Sequence, residues 1–108
     1  MKIQTGDLTD YIQLQRIQST PDGGGGQVEV WTTYKKTWAD IRPLSGFESL
    51  MAMQKDARIT HDIIMRYRTD LKASDRIFYK DRIFDIIQAP INYEEKSVWL
   101  VIRCEEKV

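Results

Sequence analysis

The chain reads as mainly β, a small antiparallel barrel or sandwich with one short helix, and three observations carry that expectation. Apolar residues recur at every second position through most of its length, the period of strands that set one face on a core and the other in solvent. Clusters of turn-forming residues separate these runs at short intervals, as antiparallel hairpins require. One stretch alone has the start signal and spacing of a helix. About six strand candidates with a single helix favour an antiparallel sheet over a parallel one, which would need a crossover after each strand.

Taken in order, Tyr11 to Arg16 sets Ile12 and Leu14 on one face of the first strand. Ser19 to Gln27 is a break. Within it Pro21-Asp22 is followed by Gly23, Gly24, Gly25 and Gly26, whose backbone freedom predicts a mobile hairpin tip and a candidate flexible loop for docking a partner. A glycine run can also cradle phosphate, but no Lys-Ser or Lys-Thr follows it and the next element is a strand, not a helix. Val28 to Lys36 then sets Val30, Thr32 and Tyr34 opposite Glu29, Trp31 and Thr33. Trp38-Ala39-Asp40-Ile41 is a compact strand that ends before Pro43, which cannot donate to a continuing ladder. Ser45 stands three residues before Glu48 as a capping-box pair, so Phe47 to Lys55 is predicted helical.

Arg58 to Arg68 is the longest alternation, with Ile59, His61, Ile63, Met65 and Tyr67 predicted on the core face. Arg58, Thr60, Asp62, Ile64, Arg66 and Arg68 fall on the other, charged face. Ile77 to Tyr79 and Ile83 to Ile87 flank Lys80-Asp81-Arg82, a tight hairpin without glycine in which Asp81 is the residue best able to take a positive φ. Ser97 to Glu105 is apolar on both faces, with Trp99 and Val101 on one and Leu100, Ile102 and Cys104 on the other, as in a central strand covered twice. There are no internal repeats.

A length of 108 residues with 42% hydrophobic content suits one domain spanning 1–108. Sixteen basic residues balance sixteen acidic ones, so no global field draws the chain to nucleic acid or an anionic membrane, and any DNA contact is local. The single cysteine, Cys104, cannot form an internal disulfide and reads as a small buried hydrophobe in a reducing compartment. Neither a signal peptide nor an apolar run of about eighteen residues is present, so the expectation is a protein made and used in the cytoplasm.

Catalysis finds little support. His61 is the only histidine, and in an extended segment it and Asp62 point to opposite faces, so they do not form an oriented acid–base couple. One His and one Cys fall short of the three or four ligands of a zinc site, so no catalytic residue, metal or cofactor is expected. Glu94-Glu95 and Glu105-Glu106 read as solvated ends. A single-stranded nucleic-acid-binding small β-barrel is the alternative: Trp31, Trp38 and Trp99 with Arg66, Arg68, Arg76 and Arg82 would supply an aromatic and basic platform. Against it, tryptophans of a small domain belong in its core, and Asp40, Asp62, Asp75 and Asp85 interleave with the basic residues. Leu50, Met51, Ala52 and Met53 give the helix an adaptable apolar surface, suited to a subunit contact or to the chain's own sheet.

A succession of segments carries a resemblance over about Gly6 to Cys104. These are Gly6 with Tyr11-Ile12-Gln13-Leu14-Gln15-Arg16, the loop Asp22 to Gly26 with Val30-Trp31, Trp38-Ala39-Asp40-Ile41, Pro43-Leu44-Ser45-Gly46-Phe47-Glu48, Thr60-His61 and Arg66-Tyr67. In this order they resemble the head-tail joining, or head-closure, family of long-tailed bacteriophages. Asp81 departs from the glycine common at that turn, and the four-glycine loop is richer in glycine than is typical. The resemblance implies a structural role without chemistry or membrane: copies form a ring below the portal and adaptor proteins, stop the DNA exit channel after packaging, and dock the tail through a tail completion or tail tube protein. It implies assembly in the host bacterial cytoplasm into the head-tail connector of the virion. It also makes the connection after the Trp-Ala strand, with Ser45, Gly46, Phe47, Glu48, Leu50, Met51, Met53, Lys55 and Arg58, the candidate channel lining or gate, where Lys55 and Arg58 meet packaged DNA.

Overall fold

The computed structural model describes residues 3–44 and 58–107. The predicted helix at Phe47 to Lys55 lies outside the described residues, as does the candidate gate from Ser45 to Lys55. Among the described residues the chain is antiparallel β with two short 3-10 turns, Thr5–Asp7 and Tyr93–Glu95. Strands β1 (Asp10–Pro21) and β2 (Gln27–Pro43) form a long hairpin and β3 (His61–Arg66) lies beside β2. Strands β4 (Arg76–Tyr79) and β5 (Arg82–Ile86) form a second hairpin, and β6 (Ile91–Asn92) and β7 (Trp99–Lys107) follow.

The strand order is β3-β2-β1-β4-β5-β7-β6, and β3 also pairs with β7. The sheet therefore returns on itself through β1, β2, β3, β7, β5 and β4, while β6 shares one edge of β7 with β5. The core fills the inside of this closure: Ile12 and Leu14 of β1, Ile63 and Met65 of β3, Phe84 of β5, and Ile102 and Cys104 of β7 are fully buried. Burying each such aliphatic side chain contributes roughly 1.5–3 kcal/mol, which is the main force holding the strands in this circuit. Asp10 ties three strands together at one end, its carboxylate accepting hydrogen bonds from the Ile41 N–H and the Tyr79 hydroxyl, each at 3.1 Å.

Several expectations are corrected. The segments Val28 to Lys36 and Trp38 to Ile41 are one strand, interrupted in pattern but not in pairing. Leu14 faces Lys35 and Gln15 faces Thr33, so Tyr34 is an extra residue, a β-bulge that shifts the alternation by one. The second face of β3 is not simply solvated: Asp62 and Ile64 are buried like Ile63 and Met65, with Asp62 ion-paired to Arg103 of β7, while Arg66 at the end of the strand is exposed as expected. Tyr67, expected on the core face, is exposed. Glu105 and Glu106 are not a solvated end but lie within β7, where Arg82 grips Glu106 through two hydrogen bonds of 2.8 and 3.0 Å. The Lys80-Asp81 turn forms as expected, and both residues take the positive φ, +46° and +64°, that a two-residue hairpin demands.

Candidate assembly surface

The most exposed part of the sheet is the outer half of the first hairpin. Strand β4 pairs with β1 only at Gln13–Gln15, and β3 pairs with β2 only at Ala39–Pro43. Beyond those contacts, among the described residues, β1 and β2 are paired only with each other, and they project as a two-stranded arm that helps stretch the molecule to 51 × 29 × 26 Å. Ile17, Val28 and Val30 are exposed on it. The residues picked from sequence as a docking loop, Pro21, Asp22, Gly23, Gly24, Gly25 and Gly26, are brought together at its far end. There the Asp22 carboxylate accepts the Gly24 N–H at 2.8 Å and the Gly26 N–H at 3.1 Å, organising the tip. Gly23 and Gly25 sit at φ +85° and +90°, and a Cβ on Gly26 would come within 2.7 Å of the Asp22 carboxylate. Two of these glycines thus suit a backbone conformation that other residues rarely adopt, while a side chain at Gly26 would displace the Asp22 carboxylate that organises the tip.

The arm's base carries a row of side chains on the outer face of β2, β1 and β4. Tyr11 and Trp38 pack ring against ring at 4.8 Å between centroids. The Thr33 hydroxyl donates to Gln13 at 2.7 Å, the Gln15 amide donates to Thr33 at 3.1 Å, and Arg76 donates to Gln15 at 2.8 Å. Arg76 also lies over the Trp31 ring, 4.4 Å from its centroid. The tryptophans are not core residues: Trp38 is 53% exposed, and Trp31 and Trp99 are half-buried at the surface. Of the four arginines considered for a nucleic-acid platform, Arg66 stacks on Trp99 at 5.6 Å and helps Trp38, Thr5, Leu8 and Thr9 line a shallow cleft. Arg68 and Arg82 are engaged by Asp70 and Glu106. Arg58, the one described member of the candidate gate, is exposed and borders a cleft with Trp31, Asp85 and Lys107.

Asp75, which sequence reasoning read only as an interleaved charge, fixes the arm to the body. It is buried, and its carboxylate receives Nε and Nη2 of Arg16, both at 2.9 Å, the Tyr34 hydroxyl at 2.8 Å and the Lys72 N–H at 3.0 Å. Arg16 also covers the Tyr34 ring at 4.4 Å. Burial alone would raise the Asp75 pKa, but Arg16, the Lys72 N–H and Tyr34 together hold it below the usual carboxylate range. Burial and the same carboxylate push the Tyr34 phenol up. No local motif announces this cluster, since Arg16 and Asp75 are brought together only by the sheet.

The sheet also makes His61 and Cys104 direct cross-strand partners, a proximity that the sequence does not reveal. Burial drives the Cys104 thiol upward, the opposite of what a nucleophilic thiolate needs. Burial lowers His61, partly opposed by Glu106, whose carboxylate lies 3.8 Å from Nε2; the imidazole packs edge-on against Phe84 at 5.2 Å. Among the described residues no group of three or more His, Cys, Asp or Glu is arranged to hold a metal ion.

Comparison with known proteins adds the family. The head completion protein gp7 of Enterobacteria phage HK97 is 28% identical over 94 residues, covering 82% of this chain and 84% of gp7. The solution structure of protein SF1141 from Shigella flexneri 2a superposes with a TM-score of 0.82 at 29% identity, covering 98% of both chains. A chain in the virion of a native gene transfer agent particle shares the fold, with a TM-score of 0.62 at 20% identity over 94% of this chain and 96% of its own. The model of the phage head completion protein family matches residues 3–107, nearly the whole chain, and the chain belongs to that family.

Proposed function

We propose that this chain is a structural part of the phage virion that forms a ring at the head-tail connector, closes the DNA exit channel after packaging, and presents the surface on which the tail docks. The observation that carries the reading is the family match over residues 3–107. A fold with a closed body and a projecting arm supports it, because a ring subunit needs contact surfaces outside its own core. Zero net charge agrees with DNA contact confined to the channel, for which Lys55 and Arg58 are the proposed phosphate ligands. The tip Pro21 to Gly26 is the proposed docking loop toward the adaptor or the tail protein.

Electron microscopy of heads from a phage lacking the gene, with and without added purified protein, tests the proposal. Heads that lose DNA and bear no tails until the protein is restored are expected; tailed, DNA-filled particles without it would overturn the role. The row of Trp38, Arg66 and Trp99 favours single-stranded nucleic-acid binding as a second reading, which predicts salt-dependent retention of the purified chain on an oligonucleotide.

A further inference from the structure

The hydrogen-bond register of the arm shows which backbone groups are left over. The Asp22 N–H donates to the Gly26 carbonyl at 3.1 Å, and pairing continues inward without a slip from Pro21 opposite Gln27 to Gln15 opposite Thr33. In an antiparallel ribbon, hydrogen-bonded pairs alternate with pairs whose N–H and C=O groups point away from each other. Pro21/Gln27, Ser19/Glu29 and Ile17/Trp31 are then the outward-pointing pairs, and Pro21, which has no N–H, sits where none is needed within the ribbon. One edge of the arm thus presents the backbone of Ile17, Ser19 and Pro21, and the other that of Gln27, Glu29 and Trp31.

Exposed edges are normally guarded by charge or proline, and from Ile17 to Thr33 these guards are only Pro21 at the end of the β1 edge, Asp22 in the tip and Glu29 on the β2 edge, in a chain where charged residues make up 30%. The β2 edge reads Gln-Val-Glu-Val-Trp-Thr-Thr, a sequence with strong strand preference. A two-stranded ribbon is marginal by itself, and among the described residues no strand pairs with it on either side.

We propose that the arm pairs edge to edge with the arms of neighbouring copies, the β2 edge of one subunit adding antiparallel to the β1 edge of the next. The two edges present three outward residues each, of which Pro21 accepts but cannot donate, and run in opposite directions, so the same contact repeats around a ring. Arms about 10 Å wide, against a body more than twice as broad, meet only by converging toward the ring axis, so they line its inner wall. This inference rests on the ring proposed above.

Two otherwise wild-type chains, one carrying Ser19→Cys and the other Glu29→Cys, are mixed, assembled on completion-deficient heads and mildly oxidised; the native Cys104 is buried and does not interfere. The expected product is a disulfide-linked dimer containing one chain of each kind. Rings that form without any cross-link, or with Glu29→Cys homodimers alone, overturn the edge pairing and leave the ring standing, whereas particles without a ring overturn both. In parallel, Glu29→Pro removes an outward N–H and spares the ribbon's internal ladder. The purified variant is expected to keep the wild-type circular dichroism spectrum and lose incorporation into heads, and wild-type incorporation of a folded Glu29→Pro chain would overturn the proposal.

Discussion

Asp75 concentrates four hydrogen bonds on one buried carboxylate, so its removal strands the Tyr34 hydroxyl, the Lys72 N–H and the Arg16 guanidinium together. Asp75→Ala is therefore expected to lower the denaturation midpoint strongly, while Tyr34→Phe, which deletes one donor, costs about 1 kcal/mol. Since the folded pKa of Asp75 is depressed, its stabilisation is complete above the unfolded value near 3.9 and disappears as pH falls through the folded one. Thermal melts of wild type should lose stability below about pH 4, and Asp75→Asn should start lower with a shallower acid limb. His61 has the opposite chemistry: burial favours its neutral form, so the unfolded imidazole takes up a proton at higher pH than the folded one. Its NMR titration midpoint should lie below the ordinary value of about 6.5, with stability rising as pH increases through that window.

The β4–β5 turn shows how far an element can be read from its residues. The flanking apolar runs locate it and the absence of glycine is visible, but two consecutive left-handed residues, Lys80 and Asp81, emerge only once the pairing register is known. Asp81→Gly should relieve left-handed strain and stabilise the protein by about 1 kcal/mol, measured as a shift in the urea midpoint at unchanged slope. Alternation correctly located Ile12 and Leu14, Ile63 and Met65, and the doubly covered β7, because each depends on period two alone. It failed where tertiary context decides: Ile64 and Asp62 are buried on the face expected to be solvated, and Tyr34 hides the continuity of β2 behind a bulge. The tip glycines were legible as a turn; the open edges leading to them were not, since an edge is defined by which strands do not come alongside.

A folded 108-residue body packed to ordinary density has a radius of gyration of about 13 Å, whereas the chain measures 15.1 Å. Part of the difference is the arm, whose outer half contributes none of the buried core residues between Gln18 and Val30. The body keeps Ile12, Leu14 and Ala39 and also the Arg16–Tyr34–Asp75 anchor inside the cut, so folding and assembly draw on separable parts of one hairpin. Replacing Ser19 to Glu29 by an Asn-Gly turn, which the hydrogen-bonded pair Gln18/Val30 can close, should yield a chain that still unfolds cooperatively, with a radius of gyration by X-ray scattering closer to about 13 Å. The same variant should fail to rescue completion-deficient heads. An unfolded product would mean that the arm is needed for the closed sheet itself, and full rescue would move the assembly surface to the cleft around Trp38 and Arg66.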